Sequence, residues 1–366
     1  MKLTFPHMGN VFMIAKCLLD EFNLSYVVPP LQSKRTLELG TKYCPEGACL
    51  PLKITIGSLI EAYELGADTA LMVGGSGPCR LGYYSVMQQE ILQDAGVKME
   101  VIALEATNGC VSNLISKIKR ITKGFKVPKL LKTISQVTSL SIQIDELEQL
   151  CFYNRAYEQL QGTTNSIYQE FREQAFATKG VKAYKRLIKY TKNKLKLIPL
   201  NIHKTALKIG IVGEIYGNID PFAKLNLEKK LGDMGVLVHR YVTISDWIVD
   251  KIIKKELHLP QNKQYAKAAK PYLNAMIGGH ALETIGHTVM YANKNYDGVI
   301  QIYPLGCMPE IVAQSILPTV SQQENIPVLT LIVDEMTGEA GYMTRVEAFL
   351  DLLEKRRANK QLSIIS

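Results

Sequence analysis

The sequence has no long apolar run. No stretch approaches the roughly 18 consecutive apolar residues that a membrane-spanning helix requires. The first residues, Met1 to His7, contain no extended apolar segment with a small-residue cleavage site, so we expect no secretory signal there. We therefore expect a cytoplasmic protein that does not bind a membrane.

Acidic residues are missing from the interval between Glu173 and Glu214, which is rich in lysine, and the whole chain has a net charge of +9. The basic residues of this interval are Lys179, Lys182, Lys185, Arg186, Lys189, Lys192, Lys194, Lys196, Lys204 and Lys208. Such a run is usually a solvated helix face, and the alternative is a docking surface for an acidic protein or a phosphorylated ligand. No nucleic-acid-binding motif or platform of interleaved aromatic residues accompanies the run, so we expect no nucleic-acid partner.

The sequence also lacks the close Cys-x-x-Cys pairs that are typical of structural zinc sites. Its seven cysteines are an odd number, which argues against complete disulfide pairing in a cytoplasmic protein. Most of them lie beside or near Gly or Pro in predicted loops, where backbone N–H groups stabilise thiolates: Cys44, Cys49, Cys79, Cys110 and Cys307. Ligands gathered from distant loops fit an iron–sulfur cluster better than a zinc site. The alternative is that these cysteines are simply buried.

Two further cysteines, Cys17 and Cys151, lie in predicted helices and have no neighbouring Gly or Pro. A free cysteine in such a position is usually a small core residue. The local sequence therefore favours a core position for both.

Short apolar strands alternate with helices in two parts of the chain, residues 1–111 and 205–366. This alternation predicts parallel sheets covered by helices. In residues 112–204 the strand patterns fade, and polar residues recur at helical spacing. We therefore predict an α/β protein of two Rossmann-like lobes with parallel sheets, 1–111 and 205–366, with a helical, Lys-rich segment, 112–204, inserted between them. Sites in such sheets collect at the carboxyl ends of the strands.

Two other segments near predicted strand ends are candidate sites. The run Gly74-Gly-Ser-Gly77 lacks both the G-x-G-x-x-G spacing and the lysine of a P-loop, so it is a weak candidate for nucleotide binding. The acidic run of Asp334, Glu335 and Glu339 suits acid–base chemistry or cation binding, and suits a solvated loop equally well. A capping box, Thr344-x-x-Glu347, predicts that the last helix starts directly after Thr344.

Five motifs along the chain together resemble the 2-hydroxyacyl-CoA dehydratase D-component family. They are Tyr43-Cys-Pro-Glu-Gly-Ala-Cys-Leu-Pro-Leu-Lys53, Gly74-Gly-Ser-Gly-Pro-Cys-Arg-Leu-Gly-Tyr83, Gly213-Glu-Ile-Tyr216, Tyr303-Pro-Leu-Gly-Cys-Met-Pro309 and Asp334-Glu-Met-Thr-Gly-Glu339. The branch that they resemble most is related to the CoA-substrate-specific activases and the double-cubane cluster proteins. The resemblance covers nearly the whole chain and keeps the order of the motifs.

This resemblance implies an oxygen-sensitive cluster between two Rossmann-like lobes, reduced by an ATP-hydrolysing iron–sulfur activator under anaerobic conditions. Dehydratase subunits of the family hold a 4Fe-4S cluster with three cysteines, whereas the double-cubane branch holds an 8Fe-9S cluster with six. Six cysteines remain here besides Cys17, so the resemblance implies the ligands Cys44, Cys49, Cys79, Cys110, Cys151 and Cys307. The resemblance alone makes Cys151 a ligand rather than a core residue.

The resemblance leaves the chemistry open between a lyase that acts on a 2-hydroxyacyl-CoA and an ATP-dependent reductase that acts on a small reducible molecule. In either case we expect the protein to form a dimer, and we expect the activator to be its partner protein. A competing hypothesis is a non-enzymatic role as an electron-transfer protein or a cluster-bearing partner subunit. A third is a structural-zinc or metal-free binding protein.

Overall fold

A computed structural model of the chain describes residues 1–72, 80–104, 111–246, 248–249 and 264–365. The predicted fold class is confirmed: the protein is α/β, and neighbouring strands within each of its two described sheets are parallel. One compact unit comprises Met1–Glu148, Tyr168–Asn193 and Thr243–Gln261, and the other comprises Gln149–Ile167, Lys194–Val242 and Asn262–Ser366. The division into residues 1–111, 112–204 and 205–366 stays a prediction.

The first unit contains a three-stranded sheet. Its strands, in spatial order, are β1 (Leu3–Thr4), β2 (Thr69–Met72) and β3 (Glu100–Ala103). The helices around it are α1 (Val11–Glu21), α2 (Lys34–Tyr43), α3 (Leu50–Glu64), α4 (Tyr84–Asp94) and α5 (Val111–Thr122). The strand that the sequence predicts over residues 25–28 forms only an isolated bridge between Tyr26 and Leu3. Two prolines follow at positions 29 and 30, and they have no N–H with which to extend a ladder.

The middle of the chain forms three helices, α6 (Val127–Tyr157), α7 (Thr163–Ala177) and α8 (Val181–Lys196). The basic residues of α8 fall into two groups. Lys185 donates to the Ser139 hydroxyl at 2.9 Å, and Lys192 forms an ion pair with Glu146 at 2.6 Å. Others are exposed: Lys182, Arg186, Lys189 and Lys196. Part of the basic run therefore has internal partners, and part is a solvated helix face.

None of the helices in the described parts of the chain is both long enough and apolar enough to cross a membrane.

The second unit contains a four-stranded sheet. Its strands, in spatial order, are β5 (Leu237–Arg240), β4 (Lys208–Gly213), β6 (Gly298–Pro304) and β7 (Val328–Val333). Its helices are α9 (Ile215–Ile219), α10 (Leu227–Asp233), α12 (Gln264–Ala269), α13 (Ala281–Asn293), α14 (Met308–Gln323) and α15 (Glu339–Ile365), whereas the short α11 (Ile244–Asp246) belongs to the first unit. Every residue of β6 is buried, as expected for a central strand of a parallel sheet. Because β4 and β6 are parallel neighbours, the loops that follow them start at the same edge of the sheet.

The start of the last helix differs from the prediction. Helix α15 begins at Glu339, and Thr344 lies inside it, with its hydroxyl donating to the Ala340 carbonyl oxygen at 3.0 Å. Asp334 closes the preceding turn, since its carboxylate accepts from the Met336 N–H at 2.9 Å and from a threonine hydroxyl at 2.8 Å. Glu339 forms an ion pair with Lys230 at 2.5 Å. The capping-box prediction is therefore wrong, and two residues of the acidic run have structural roles.

Candidate functional site

The loop between Cys44 and Cys49 connects two helices of the first unit that touch backbone to backbone. A Cβ atom on Gly40 in α2 would lie 1.7 Å from the carbonyl oxygen of Lys53 in α3, and one on Gly57 would lie 1.8 Å from the Thr36 carbonyl oxygen. No side chain fits at either glycine, so the two helices approach as closely as their backbones allow. Both ends of the loop are therefore held by the packing of the helix pair.

Within this loop, each cysteine occupies the end of a helix. Cys44 follows α2, and its N–H donates to the Gly40 carbonyl oxygen at 3.0 Å. Cys49 is the N-cap of α3, and Pro51 is the second helical residue, where its missing N–H costs no hydrogen bond. The sulfur of Cys49 is hydrogen-bonded to the hydroxyl of Tyr84, which is a buried residue of α4.

The two thiols lie in different environments. Cys44 is buried, whereas Cys49 is half-buried. Burial raises the pKa of the Cys44 thiol to about 12, the nearby ammonium of Lys53 acts in the opposite direction, and Cys49 adds a smaller upward effect. A buried thiol of this kind becomes a thiolate when a bound metal supplies positive charge.

Two cationic side chains bind backbone carbonyl groups of this loop. Lys53 Nζ donates to the Glu46 carbonyl oxygen at 3.1 Å, and Arg80 Nη1 donates to the Gly47 carbonyl oxygen at 3.2 Å. Lys53 is 1% exposed, whereas Arg80 lies at the surface. Positive charge therefore lies beside the cysteine loop on a buried side chain and on an exposed one.

In the second unit, Cys307 also starts a helix. It is the half-buried N-cap of α14, and Pro309 is the second helical residue. Its N–H donates to the Pro304 carbonyl oxygen at 3.0 Å, which closes the turn after β6. The Cys-x-Pro sequence therefore produces the same local arrangement at Cys307 as at Cys49.

Directly after this turn, Glu310 is completely buried in a polar network. The Thr284 hydroxyl lies 3.0 Å from its carboxyl oxygens, and the Gln301 side-chain amide donates to it at 2.9 Å. The Thr330 hydroxyl donates to the Gln301 side-chain oxygen at 2.9 Å. Burial raises the pKa of Glu310 from its ordinary value of 4.5 to about 8, so the carboxyl group holds a proton at neutral pH.

Further carboxyl groups lie near Glu310 in the second unit. Glu214 caps α9, accepts hydrogen bonds at 2.9 Å from the N–H groups of Tyr216 and Gly217, and has a pKa raised by burial. Glu283, in the first turn of α13, raises the pKa of Glu310 together with Glu214. Glu310 was not among the predicted site residues, although it directly follows Cys307-Met-Pro309 in the sequence.

The structure does not test the other predicted ligands, Cys79, Cys110 and Cys151. Cys151 is inside α6 and is 1% exposed, and its ligand role stays a prediction. Cys79 and Cys110 lie outside the described residues, as do Gly74 to Gly77. Cys17 is confirmed as a core residue of α1, where burial raises its thiol pKa to about 12.

The thiols of the cysteine loop have the chemistry that an iron–sulfur cluster requires of its ligands. Cys44 and Cys49 are two free cysteines on one short loop, and cysteine thiolates are the usual ligands of such clusters. Over the described ranges, no three or more His, Cys, Asp or Glu side chains are grouped so that they could hold a metal ion. The cysteine loop therefore has two thiols of the right chemistry, and a cluster bound there would require further ligands from other segments.

No protein-family model and no curated protein matches this sequence.

Proposed function

We propose that this protein is an iron–sulfur protein of the 2-hydroxyacyl-CoA dehydratase type. An ATP-dependent activator would deliver low-potential electrons to it for dehydratase or reductive chemistry. One observation carries the proposal: each unit has a half-buried cysteine at a helix N-cap followed by Pro as the second helical residue, Cys49 in the first unit and Cys307 in the second. The positive end of a helix and its free N–H groups favour a negatively charged sulfur at this position.

The cluster would be held by cysteine thiolates. For an 8Fe-9S double cubane the proposed ligands are Cys44, Cys49, Cys79, Cys110, Cys151 and Cys307, and a 4Fe-4S cluster would use three of them. When bound, such a cluster supplies one-electron chemistry at low potential. The substrate class is a 2-hydroxyacyl-CoA for a lyase or a small reducible molecule for a reductase.

The residues around the cysteines have their own roles in this proposal. The Tyr84 hydroxyl is a hydrogen-bond partner for the Cys49 sulfur, and hydrogen bonds to cluster sulfurs raise reduction potentials. Glu310 holds a proton on its carboxyl group at neutral pH three residues after Cys307. Helix α3 orients Cys49 through its first turn, and α14 does the same for Cys307.

Metal analysis tests the proposal directly. The protein is purified under strict anaerobiosis, iron and acid-labile sulfide are quantified, and EPR spectra are recorded after reduction. We expect about eight irons per chain for a double cubane and about four for a single cubane. The variants Cys49→Ala and Cys307→Ala should lose iron, whereas the core variant Cys17→Ala should keep it. Zinc as the sole metal, or no metal at all, would contradict the proposal.

A second assay separates catalysis from electron transfer. The cluster-loaded protein is mixed with its activator and ATP, and turnover is measured on a 2-hydroxyacyl-CoA and on small reducible molecules. ATP-dependent product formation with either substrate class supports an enzyme. Reduction of the cluster without turnover of either class favours the non-enzymatic electron carrier.

A further inference from the structure

Lys53 is an unusual component of the cysteine loop because it is a lysine with only 1% of its surface exposed. It is the fourth residue of α3, and its backbone carbonyl is the group that packs against Gly40. Its ammonium group reaches back to the Glu46 carbonyl oxygen at 3.1 Å. Burial of an ammonium group costs free energy, so helix packing alone does not explain why a lysine occupies this position.

One role of the ammonium group is to hold the loop. Glu46 lies between Cys44 and Cys49, and the next carbonyl, that of Gly47, accepts from Arg80 at 3.2 Å. Two successive carbonyl groups are therefore bound by two cations from different helical segments. A loop that contributes cluster ligands has to keep its sulfur atoms in place, and these two contacts restrict its backbone.

The second role concerns charge. A neutral amide side chain could also donate to the Glu46 carbonyl, whereas lysine adds a full positive charge in a buried region. The ammonium group donates to the carbonyl oxygen of Glu46, which lies between Cys44 and Cys49, so the charge is held beside the loop that carries both sulfur atoms. Charge–charge interactions are stronger in a buried region than in water, so we expect the buried Lys53 to have a larger effect on a charge at this loop than the exposed Arg80.

We propose that Lys53, with Arg80 as its exposed counterpart, is a positioning residue that fixes the Cys44–Cys49 loop and places positive charge beside its sulfur ligands. The inference rests on the proposed function, because the negative charge that it compensates is that of a cluster-bearing thiolate pair. A nearby cation favours the reduced and more negative state of a cluster. Removal of the cation therefore lowers the reduction potential.

The charge is tested with the variants Lys53→Met, Lys53→Arg, Arg80→Met and Arg80→Lys in the cluster-loaded protein. The midpoint potential is measured by redox titration monitored by EPR. We expect a shift to a more negative potential in Lys53→Met, a smaller shift in the same direction in Arg80→Met, and values close to wild type in the two variants that keep the charge. An unchanged potential in both methionine variants, with the cluster still present, would overturn the role of the charge.

Loop positioning is tested by hydrogen–deuterium exchange on the cluster-free chain. We expect several-fold faster exchange of the amides from Cys44 to Cys49 in Lys53→Met and Arg80→Met, recovery in Lys53→Arg, and unchanged protection of α3. Equal exchange in the wild type and both methionine variants would overturn the positioning role. If the wild type contains no iron, the proposed function fails, and the exchange experiment still decides the role of Lys53 and Arg80 in the loop. If Lys53→Met does not fold, the surface variant Arg80→Met decides.

Discussion

Cys49 and Cys307 start helices in the same way but lie in different electrostatic surroundings. Each is a half-buried N-cap, and in each helix Pro is the second residue. The nearest buried charged residue of α3 is Lys53, the fourth helical residue, whereas that of α14 is Glu310, the third. Lys53 contacts the carbonyl of a loop residue, and Glu310 contacts Thr284 and Gln301 from other elements.

This difference shows that a Cys-x-Pro turn determines where a helix begins but does not determine which charged residues lie near the sulfur. In the first unit the buried lysine Lys53 binds the loop that precedes the helix, and a positive charge at such a position favours a negatively charged sulfur. In the second unit the buried Glu310 is neutral at neutral pH, because its pKa is raised to about 8, so it adds no negative charge near Cys307. We therefore expect substitutions at the two helix starts to have different consequences.

The largest expected effect comes from the close contact between α2 and α3 beside Cys49. Gly40→Ala should lower the free energy of unfolding by about 1–3 kcal/mol or more, because the new methyl group would collide with the Lys53 backbone. The measurement is urea denaturation of the purified variant. Gly47→Ala is the matched control, because no atom lies within 4 Å of its added Cβ, and it should remain within about 0.5 kcal/mol of wild type. Equal stability of the two variants would contradict the close packing of α2 on α3.

The next largest effect is a pH dependence of the unfolding free energy, which we expect from Glu310 at the start of α14. Glu310 binds its proton more tightly in the folded state, where its pKa is about 8, than in the unfolded state, where the ordinary value of 4.5 applies. Its contribution to stability is thus fully present below pH 4.5 and is lost as the pH rises through 8. The slope from this one proton is at most about 1.4 kcal/mol per pH unit.

The variant Glu310→Gln should remove this component from the pH dependence of the unfolding free energy, since the amide keeps a neutral, hydrogen-bonding side chain at the site. Denaturant titrations between pH 5 and pH 8 measure the slope. Glu347→Gln, at an exposed position of α15, is the control and should keep the wild-type slope. A wild-type slope in Glu310→Gln would show that the carboxyl group is not protonated in the folded protein.

The smallest effect concerns a single hydroxyl group at Cys49. Tyr84→Phe removes the hydrogen-bond partner of the Cys49 sulfur and should lower the free energy of unfolding by about 0.5–1.5 kcal/mol. In the cluster-loaded protein it should also shift the midpoint potential to a more negative value. Tyr272→Phe is the matched control, because that hydroxyl donates to Glu324 at 2.7 Å, and its loss should leave the potential unchanged. The same shift in both variants would mean that the hydroxyl–sulfur bond has no specific effect.

Much of the fold could be predicted because its signals are local. The alternation of strands and helices predicted parallel sheets, and both described sheets are parallel. The prediction for the last helix was wrong because Thr344 and Glu347 satisfy a local capping pattern inside a helix that already starts at Glu339. A local pattern cannot show whether an earlier turn, here the one closed by Asp334, starts the helix first.

The candidate site was predictable only in part. The sequence placed Cys44, Cys49 and Cys307 in turns at helix ends, and the structure has them there. The sequence did not reveal the importance of Lys53 and Glu310, because their roles depend on burial. Lys53 is 1% exposed in a helix that packs closely against α2, and Glu310 is buried in a network with Thr284, Gln301 and Thr330.

By itself, the sequence of this protein determined its parallel α/β class and the position of Cys49 and Cys307 in loops that precede helices. Strand alternation, proline and N-cap geometry depend only on a few neighbouring residues. They can therefore be recognised in the sequence without knowing what packs against the segment. Only the tertiary structure decided which charged side chains are buried and in which protonation state. Burial and charge depend on partners from distant segments, such as Gln301 and Thr284 around Glu310, and no local pattern records them.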